Sequence, residues 1–512
     1  MTTLARLRAI FFPELHMSRR ILHLAGPIIF AMLTQTFVNI TDTLFVGKLE
    51  PSVSIPGQAA LGFALPLLWS VGGFLSAISV GTLAITARRF GGGDFERAGQ
   101  VLTNSIMVAM VTGLVASLAG YAVVPAAYGF LTHDPAVQAL GIPYAQYRML
   151  GVLSMVATMS YKSFFDAIGK THVHLVAALV MNVINVGLNY AMIFGLGPIP
   201  AMGVPGAGLA SLISTYVGLA IMILWSVRGD IRARYVIYRL SNTSRRVMWE
   251  VVRLSVPSGL ATVFVMGGFL AFFKLIGALD ADLMTQTLVS TVVYGGHGAT
   301  DYRAWQDVLL QSGDVPGAAM TTDLTYMSVA SRPAVFSAAA KVLTDVFSIA
   351  FITSMAFGTA TATLVSQSLG EGKPELAERY GWASGKVGAW ALGAVGVLVV
   401  IWPEAALDLI SDDPSVIAAG APAMRMLGFF MPILAMAFVW TQALFGAGNT
   451  KYVMYVELFL HFFCLVPCTW LFMFGLDLGF MGAWYAVGTY MTALFLAMGW
   501  KFREGKWKTI QV

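Results

Sequence analysis

Asp42 lies in an apolar run that begins near Ile21 and ends with "NITDTLFVGKL" (39–49). Gln35, Asn39 and Asp42 follow one another at spacings of four and three, which on a helix puts them on one face. A second polar stripe, Asn182, Asn185 and Asn189 in "MNVINVGLNY", repeats those spacings. A carboxylate beside amide carbonyls offers the oxygens that a hard cation such as sodium needs. A protonated Asp42 donating to one of those carbonyls would carry a proton instead, because burial favours the neutral form of any carboxyl. Asparagines can also simply bond helices together, so the stripe alone does not decide. Farther along, Lys274, Lys341, Asp345, Glu457 and His461 fall in apolar surroundings. Lys341 and Asp345 are i,i+4 and could pair within one helix, or Asp345 could meet Lys274. Glu457 and His461 are also i,i+4, which suits either a proton relay or a bond between helices.

These groups call for explanation because of what surrounds them. The chain is 57% hydrophobic and 11% charged, with a mean hydropathy of +0.75, whereas soluble chains are about a quarter charged. Apolar runs recur at 21–47, 59–84, 100–124, 138–160, 173–195, 206–228, 251–279, 334–363, 386–408, 419–445, 452–475 and 481–501. Each is near the ~20 residues that cross ~30 Å of hydrocarbon as a helix. The expected fold is an all-α membrane protein of about 12 spans, since spanning strands would be shorter and alternating. A charge in that medium costs about 2.5–3.5 kcal/mol even on a lenient scale, so each needs a partner or a cavity.

An even number of spans puts both termini on one side, and basic residues mark that side as cytoplasmic. With the N-terminus inside, 24 of the 31 Lys and Arg fall in cytoplasmic segments, among them the seven arginines of 228–253. The expected location is a plasma membrane, inner membrane in a Gram-negative cell, with both termini cytoplasmic. Residues 1–20 carry basic residues but no small-residue cleavage site, and are expected to stay as a surface-lying segment.

An internal repeat orders the spans. "FGGGDFERA" (90–98) matches "LGEGKPELA" (369–377), and 370 − 91 = 279. "LTHDPAVQALGIP" (131–143) matches "ISDDPSVIAAGAP" (410–422), with Asp134 and Asp413 again 279 apart, as are Gly169 and Gly448. Six spans per half make the repeat parallel, about an axis along the membrane normal, and place a substrate path between the halves. The expected organisation is a first lobe at 21–228, a linker at 229–250, a second lobe at 251–501 and a tail at 502–512. Pro27 and Pro257 differ by only 230, so the second lobe holds an insert, about 280–333, too polar to span and read as a tolerated loop or a cap. Arg148 and Arg425, in "YRMLG" and "MRMLG", are expected to tie outer helix ends together.

Several chemistries are disfavoured. No GxxxxGK[ST] phosphate loop occurs, which argues against an ATP-driven pump. Cys464 and Cys468 read as buried, reduced helix residues, and His172 and His174 fall on different helix faces, a weak metal pattern. The net charge of +5 is spread over loops, which does not suggest nucleic-acid binding. No catalytic residue, metal site or cofactor is expected apart from a coupling ion, and the partners are a small-molecule substrate and the bilayer around a monomer. The 27 methionines suit a cavity of adaptable shape or ordinary packing.

Pro27 through "TDTLFVGKL", "ARRFGGGDFERA", "FFDAIGKTHVH", "NVINVGLNYAMIFG" with "GVPGAGLAS", and "LFGAGNTKYVMY" together resemble the multidrug and toxic compound extrusion (MATE) transporters. The resemblance covers nearly the whole chain outside the insert. It implies two six-helix lobes around a central cleft and export of drugs or metabolites against inward movement of protons or sodium. It makes Asp42 the family's first-helix carboxylate and Asn185 a fifth-helix asparagine near it. Asn189 falls where a proton-coupled branch has an aspartate, and Ser211 where a sixth-helix threonine is common. The seventh-helix glutamate and tenth-helix aspartate of the sodium-coupled branch are replaced here by Val265 or Met266 and Val439 or Trp440. Coupling then rests on Asp42, with Asn39, Asn185, Asn189 and Ser211 around it, or draws on Lys274, Lys341, Asp345, Glu457 and His461. The expected function is a secondary antiporter for small, cationic or amphiphilic organic compounds. A flippase for lipid-linked saccharides is the alternative, kept open by Lys274 and Lys341.

Overall fold

The computed structural model describes residues 14–291, 293–294, 297–298, 335–411 and 413–511; the side chains of 35–40, 51, 240, 281–291, 293–294 and 297–298 lie outside that description. Helices dominate it, as leucine, alanine, valine and methionine runs without hydrogen-bonding solvent require. In the first lobe these are α1 (Leu15–Gly47), α2 (Pro51–Ser76), α3 (Ile78–Gly91), α4 (Phe95–Leu131), α5 (Pro135–Leu150), α6 (Val152–Ala167), α7 (His172–Phe194) and α8 (Val204–Ser226). The second lobe has α9 (Arg245–Thr291), α10 (Val335–Gly370), α11 (Pro374–Ile401), α12 (Pro414–Gly446), α13 (Thr450–Gly475) and α14 (Gly479–Glu504). A two-residue antiparallel pair, β1 (Val293–Tyr294) and β2 (His297–Gly298), lies in the insert. Among the described residues, ten helical stretches are long and apolar enough to cross a membrane. The two remaining predicted spans are helical as well, as α1 and as α5 with α6, and these carry Asp42 and Arg148.

Several spans differ in detail from their sequence reading. The second and fourth are interrupted at Ala77 and Gly151, so each is a pair of helices. The eleventh, α13, contains π-helical turns at Leu460–Leu465 and Leu471–Gly475. Pro467 lies between them and has no N–H to give, which breaks the regular ladder there. The seventh, α9, continues past 279 into the predicted insert as far as Thr291; the rest of that insert, 299–334, is outside the described residues. Asp280 closes the insert's base, accepting hydrogen bonds from Phe336 N (3.0 Å), Ser337 N (2.8 Å) and Ser337 Oγ (2.6 Å) at the first turn of α10. That satisfies helix N–H groups which otherwise have no partner.

The first and last described segments lie on one face of the bundle. Glu14 pairs with Arg379 near the start of α11 (2.5 Å), and Lys508 reaches Glu378 (2.6 Å) and Glu375 (3.1 Å) there. On this terminal face the two lobes meet. A Cβ added to Gly91 would lie 2.0 Å from Gln367 O, and one added to Gly370 would lie 1.9 Å from Arg88 O, so only glycine permits the contact. The pairs are the same pair exchanged, since 367 − 88 = 279 and 370 − 91 = 279. The axis relating the halves therefore passes between the ends of α3 and α10. The following turns repeat too, with positive φ at Gly93 and Gly372 and at Gly169 and Gly448. Gln367 Nε2 donates to Ala167 O (2.7 Å) and Arg88 Nη2 to Ala447 O (3.4 Å), each reaching the opposite lobe. Leu83, Ala87, Ala167 and Ala362 fill the space behind them.

Candidate functional site

Helix α1 changes partners half-way. Met17, Ile21, Leu24, Ala25 and Ile28 pack into the second lobe's core. The far half lies on the first lobe instead, where Asn182 Nδ2 of α7 donates to Thr34 O (2.8 Å). Asp42 comes one helical stretch later and is 1% exposed. Helix α5 and helix α8 approach closely at this level, because Gly208 leaves its Cβ space to the Tyr144 backbone, 2.8 Å away. Four elements thus converge on one carboxylate.

Asn189 Nδ2 donates to Asp42 Oδ1 at 2.7 Å and Ser211 Oγ to Oδ2 at 3.0 Å, while the Tyr144 hydroxyl is a further hydrogen-bond partner. Arg148 Nη1 stands 3.6 Å from Oδ2 with its side chain 13% exposed. Behind this shell, Asn189 also donates to Asn185 Oδ1 (3.1 Å), and Asn185 Nδ2 donates to Ser211 Oγ and Ser214 Oγ, both at 3.3 Å. The asparagine stripe is therefore a relay of amides holding the first-contact groups, with Asn189 touching the carboxylate and Asn185 one step removed. Asn39 and Gln35 have side chains outside the described residues. A cavity of about 110 Å³ opens beside the cluster, lined by Trp69, Met155, Met181, Arg148, His174 and Ser211. His174 Nδ1 is buried in its wall without a partner.

Arg148 corrects the sequence reading. It does not tie outer helix ends; it faces Asp42, whereas Arg425 does the expected work, bonding Val400 O (3.3 Å) and Glu404 (3.5 Å) between α11 and α12. The signal was present: the two arginines are 277 apart, not 279, so they are not repeat equivalents, and a buried Asp42 needed a cation. Tyr144 was missed because tyrosines are common in such helices and nothing in its spacing marks it.

The other candidates separate. Lys341 and Asp345 pair with each other within α10 on an exposed face, 67% and 40% accessible, and Lys274 is exposed. Glu457 and His461 do come together, with His461 Nδ1 3.3 Å from Glu457 Oε2, and Tyr490 of α14 donates to Oε2 at 3.3 Å. Cys464 and Cys468 are free and half-buried, not fully enclosed.

Around Asp42, hydrogen donors and a guanidinium occupy the lone-pair directions of an acceptor-only group. Such partners are what an ionised carboxylate buried away from water requires.

A family model described as MatE matches residues 27–191 and 320–471. The chain is 23% identical over 484 residues to "Multidrug resistance protein NorM" of Burkholderia vietnamiensis, covering 94% of this chain and 92% of that one. It is 23% identical over 445 residues to "Multidrug resistance protein PmpM" of Pseudomonas aeruginosa, covering 86% and 81%. Among solved structures, one described as "Outward-facing conformation of a multidrug resistance MATE family transporter of the MOP superfamily" superposes with a TM-score of 0.78 at 18% identity, covering 97% of each chain. Another, "Reverse polarity of binding pocket suggests different function of a MOP superfamily transporter from Pyrococcus furiosus Vc1 (DSM3638)", superposes with a TM-score of 0.77 at 19% identity over 100% of both.

Proposed function

The chain belongs to the MatE family, and from that premise we propose that it is a multidrug exporter working as a secondary antiporter, with Asp42 as the coupling group. The relatives are named for multidrug resistance, and the multipass helical fold is that of transporters in this family. With the basic terminal face taken as cytoplasmic, the Gly91 and Gly370 contacts hold the two lobes together on the inner side. Asp42 then lies toward the outer end of α1, where an external ion reaches it first.

The observation that carries the reading is the convergence of Asn189, Ser211, Tyr144 and Arg148 on one buried carboxylate. Those groups turn hydrogens toward the carboxylate, and the guanidinium 3.6 Å from Oδ2 stands where a sodium ion would have to sit, which favours a proton as the coupling ion. A proton on Asp42 frees Arg148 and loosens α1 from α7 and α8. Because the other half of α1 is packed in the second lobe, that loosening bears on how the lobes sit together. One elementary charge crossing about 100 mV supplies about 2.3 kcal/mol, roughly a fifty-fold substrate gradient.

The test is ethidium efflux from transporter-deficient cells expressing wild type or Asp42→Asn at matched surface levels, with proton and sodium gradients collapsed in turn. Wild-type export should stop when the proton gradient goes, and Asp42→Asn should not concentrate substrate at all. A variant exporting as well as wild type would remove Asp42 from coupling. A second reading, lipid flipping, is favoured by one observation, the guanidinium of Arg148 in the cavity wall. Failure of wild type to export ethidium, with uptake of a fluorescent anionic lipid between leaflets, would select it.

A further inference from the structure

Glu457, His461 and Tyr490 are 4%, 0% and 5% exposed, on α13 and α14 in the second lobe. His461 Nδ1 lies 2.9 Å from Glu457 O and 3.3 Å from Glu457 Oε2, and the Tyr490 hydroxyl is 3.3 Å from the same Oε2. The imidazole meets the rings of Tyr490 and Phe269 at a tilt of 60° to each, with centroids 4.7 Å and 5.9 Å away. On its remaining side α9 comes so near that a Cβ on Gly268 would be 2.6 Å from His461 Cδ2.

An ionised carboxylate so enclosed needs a cation, and no lysine or arginine contacts it among the described residues. The groups facing the pair are Gly268 and Phe269 on α9, Tyr490 on α14 and Cys464 one turn on along α13. A phenol and a thiol are neutral near physiological pH. Among the described residues the balancing positive charge is therefore a proton held by the pair itself, on the carboxyl or on the imidazole, whose Nδ1 faces two acceptors, Glu457 O and Oε2. His461 Nε2 is meanwhile buried with no partner, and that unmet group favours any alternative state in which it meets water. The π-helical turn Leu460–Leu465 carries His461 itself, and such turns inside α-helices are frequent at functional sites.

The repeat supplies an independent argument. Tyr490 stands 279 residues beyond Ser211, and His461 stands 279 beyond Asn182. In each lobe, then, the same position on the last helix gives its hydroxyl to a buried carboxylate, Asp42 in one and Glu457 in the other.

We propose that the Glu457–His461–Tyr490 cluster is a second proton-binding site, which holds one proton while the pair is sealed and passes it to water when α9 and α13 part. The proton leaves the carboxyl or imidazolium of the pair and no other bond changes. Its place in the transport cycle rests on the antiport reading, but its existence does not, so the two are measured separately. Infrared difference spectra of the purified, full-length Asp42→Asn variant, taken between about pH 5 and about pH 9, should retain a titrating protonated-carboxyl band from a buried group. Adding Glu457→Gln should abolish it, and adding Tyr490→Phe, which keeps the ring and one fewer hydrogen bond, should shift it. A band that survives Glu457→Gln, or no titrating band in the Asp42→Asn protein, overturns the proposal. Should the Gln variant fail to fold, the Phe variant decides alone, and an unshifted band there overturns it as well. In proteoliposomes with the voltage clamped at zero, one unit of pH gradient holds about a tenfold substrate gradient per proton exchanged. Wild type should therefore reach about a hundred-fold and Glu457→Gln about tenfold. Loss of all pH-driven transport in wild type, with the band intact, would sink the antiport reading and leave the site.

Discussion

Where the first lobe has Asn182, Asn185 and Asn189, the second has His461, Cys464 and Cys468, each 279 residues on. Ser211 is answered by Tyr490, and Ala178 by Glu457, at the same offset. By the offset of 230 that relates Pro27 to Pro257, Asp42 is answered by Phe272, which is 1% exposed and meets Trp484 edge-on at 5.7 Å. One frame thus carries an amide relay with its carboxylate on the first helix of the lobe, and an imidazole–thiol stripe with its carboxylate on the fifth. The difference matters because α1 is shared. Its carboxylate is held by α5, α7 and α8 while its other end is packed in the opposite lobe, so rigid-body rocking of the lobes strains that site directly. Glu457 and its partners belong to one lobe and respond only when α9, α13 and α14 move against each other.

The hardest test of this contrast moves the carboxylate. Phe272→Asp puts a charge among Phe269, Phe273 and Trp484 with no cation in contact among the described residues, and should cost about 3–5 kcal/mol, seen as a collapse of the thermal-unfolding midpoint in detergent. It should not rescue export in an Asp42→Asn background; rescue would mean that the lobes are interchangeable after all. Next in size is Arg148→Gln, which leaves Asp42 buried without its cation and should cost about 3 kcal/mol and abolish substrate accumulation. Arg425→Gln loses only an exposed contact, under about 1 kcal/mol, with transport unchanged. Equal effects of the two arginines would erase the distinction drawn between them.

The terminal-face contact should behave oppositely, as a place where the lobes are alike. Gly91→Leu and Gly370→Leu each force a backbone carbonyl away, at Gln367 and Arg88, and each should shift the population toward the inward-open state by about tenfold, some 1.4 kcal/mol. The rate at which a thiol reagent labels Ala362→Cys, in a chain whose Cys464 and Cys468 are replaced by serine, reads that shift. A shift for one glycine and none for the other would break the exchange symmetry of the contact.

Most of the fold was legible because long apolar runs and a fixed-offset repeat survive any detail of packing. The asparagine stripe and Asp42 were legible for the same reason: spacings of three and four define a face before any neighbour is known. What could not be read was which helix faces which. Arg148 sits on the fourth span, 106 residues from Asp42, and only the close approach of α5 and α8 at Gly208 brings it there. Lys341 and Asp345 pair as their spacing allows, yet spacing does not tell whether a pair is enclosed, and this one is exposed. The π turns of α13 leave no periodic mark, since Pro467 alone predicts an irregularity without its form.

The smallest expected difference between the lobes lies at the helix starts after their third spans, where Asp134 and Asp413 are repeat equivalents. Asp134 accepts from Ala136 N (2.8 Å) and Val137 N (3.4 Å), while Asp413 accepts from both the N and the Oγ of Ser415 (2.8 and 2.6 Å). The Ser415 hydroxyl, with its backbone N–H second, holds the Asp413 carboxyl below the usual aspartate range. A carboxyl whose value is lowered by folding adds stability above the unfolded value, near pH 4, and loses it as pH falls through the lowered folded value. Ser415→Ala should therefore raise the titration midpoint of Asp413, followed by NMR on a chain labelled at aspartate, and leave stability at pH 7 almost unchanged because the site is fully exposed. An unmoved midpoint would mean that the N–H bonds common to both lobes, and not the added hydroxyl, set the cap.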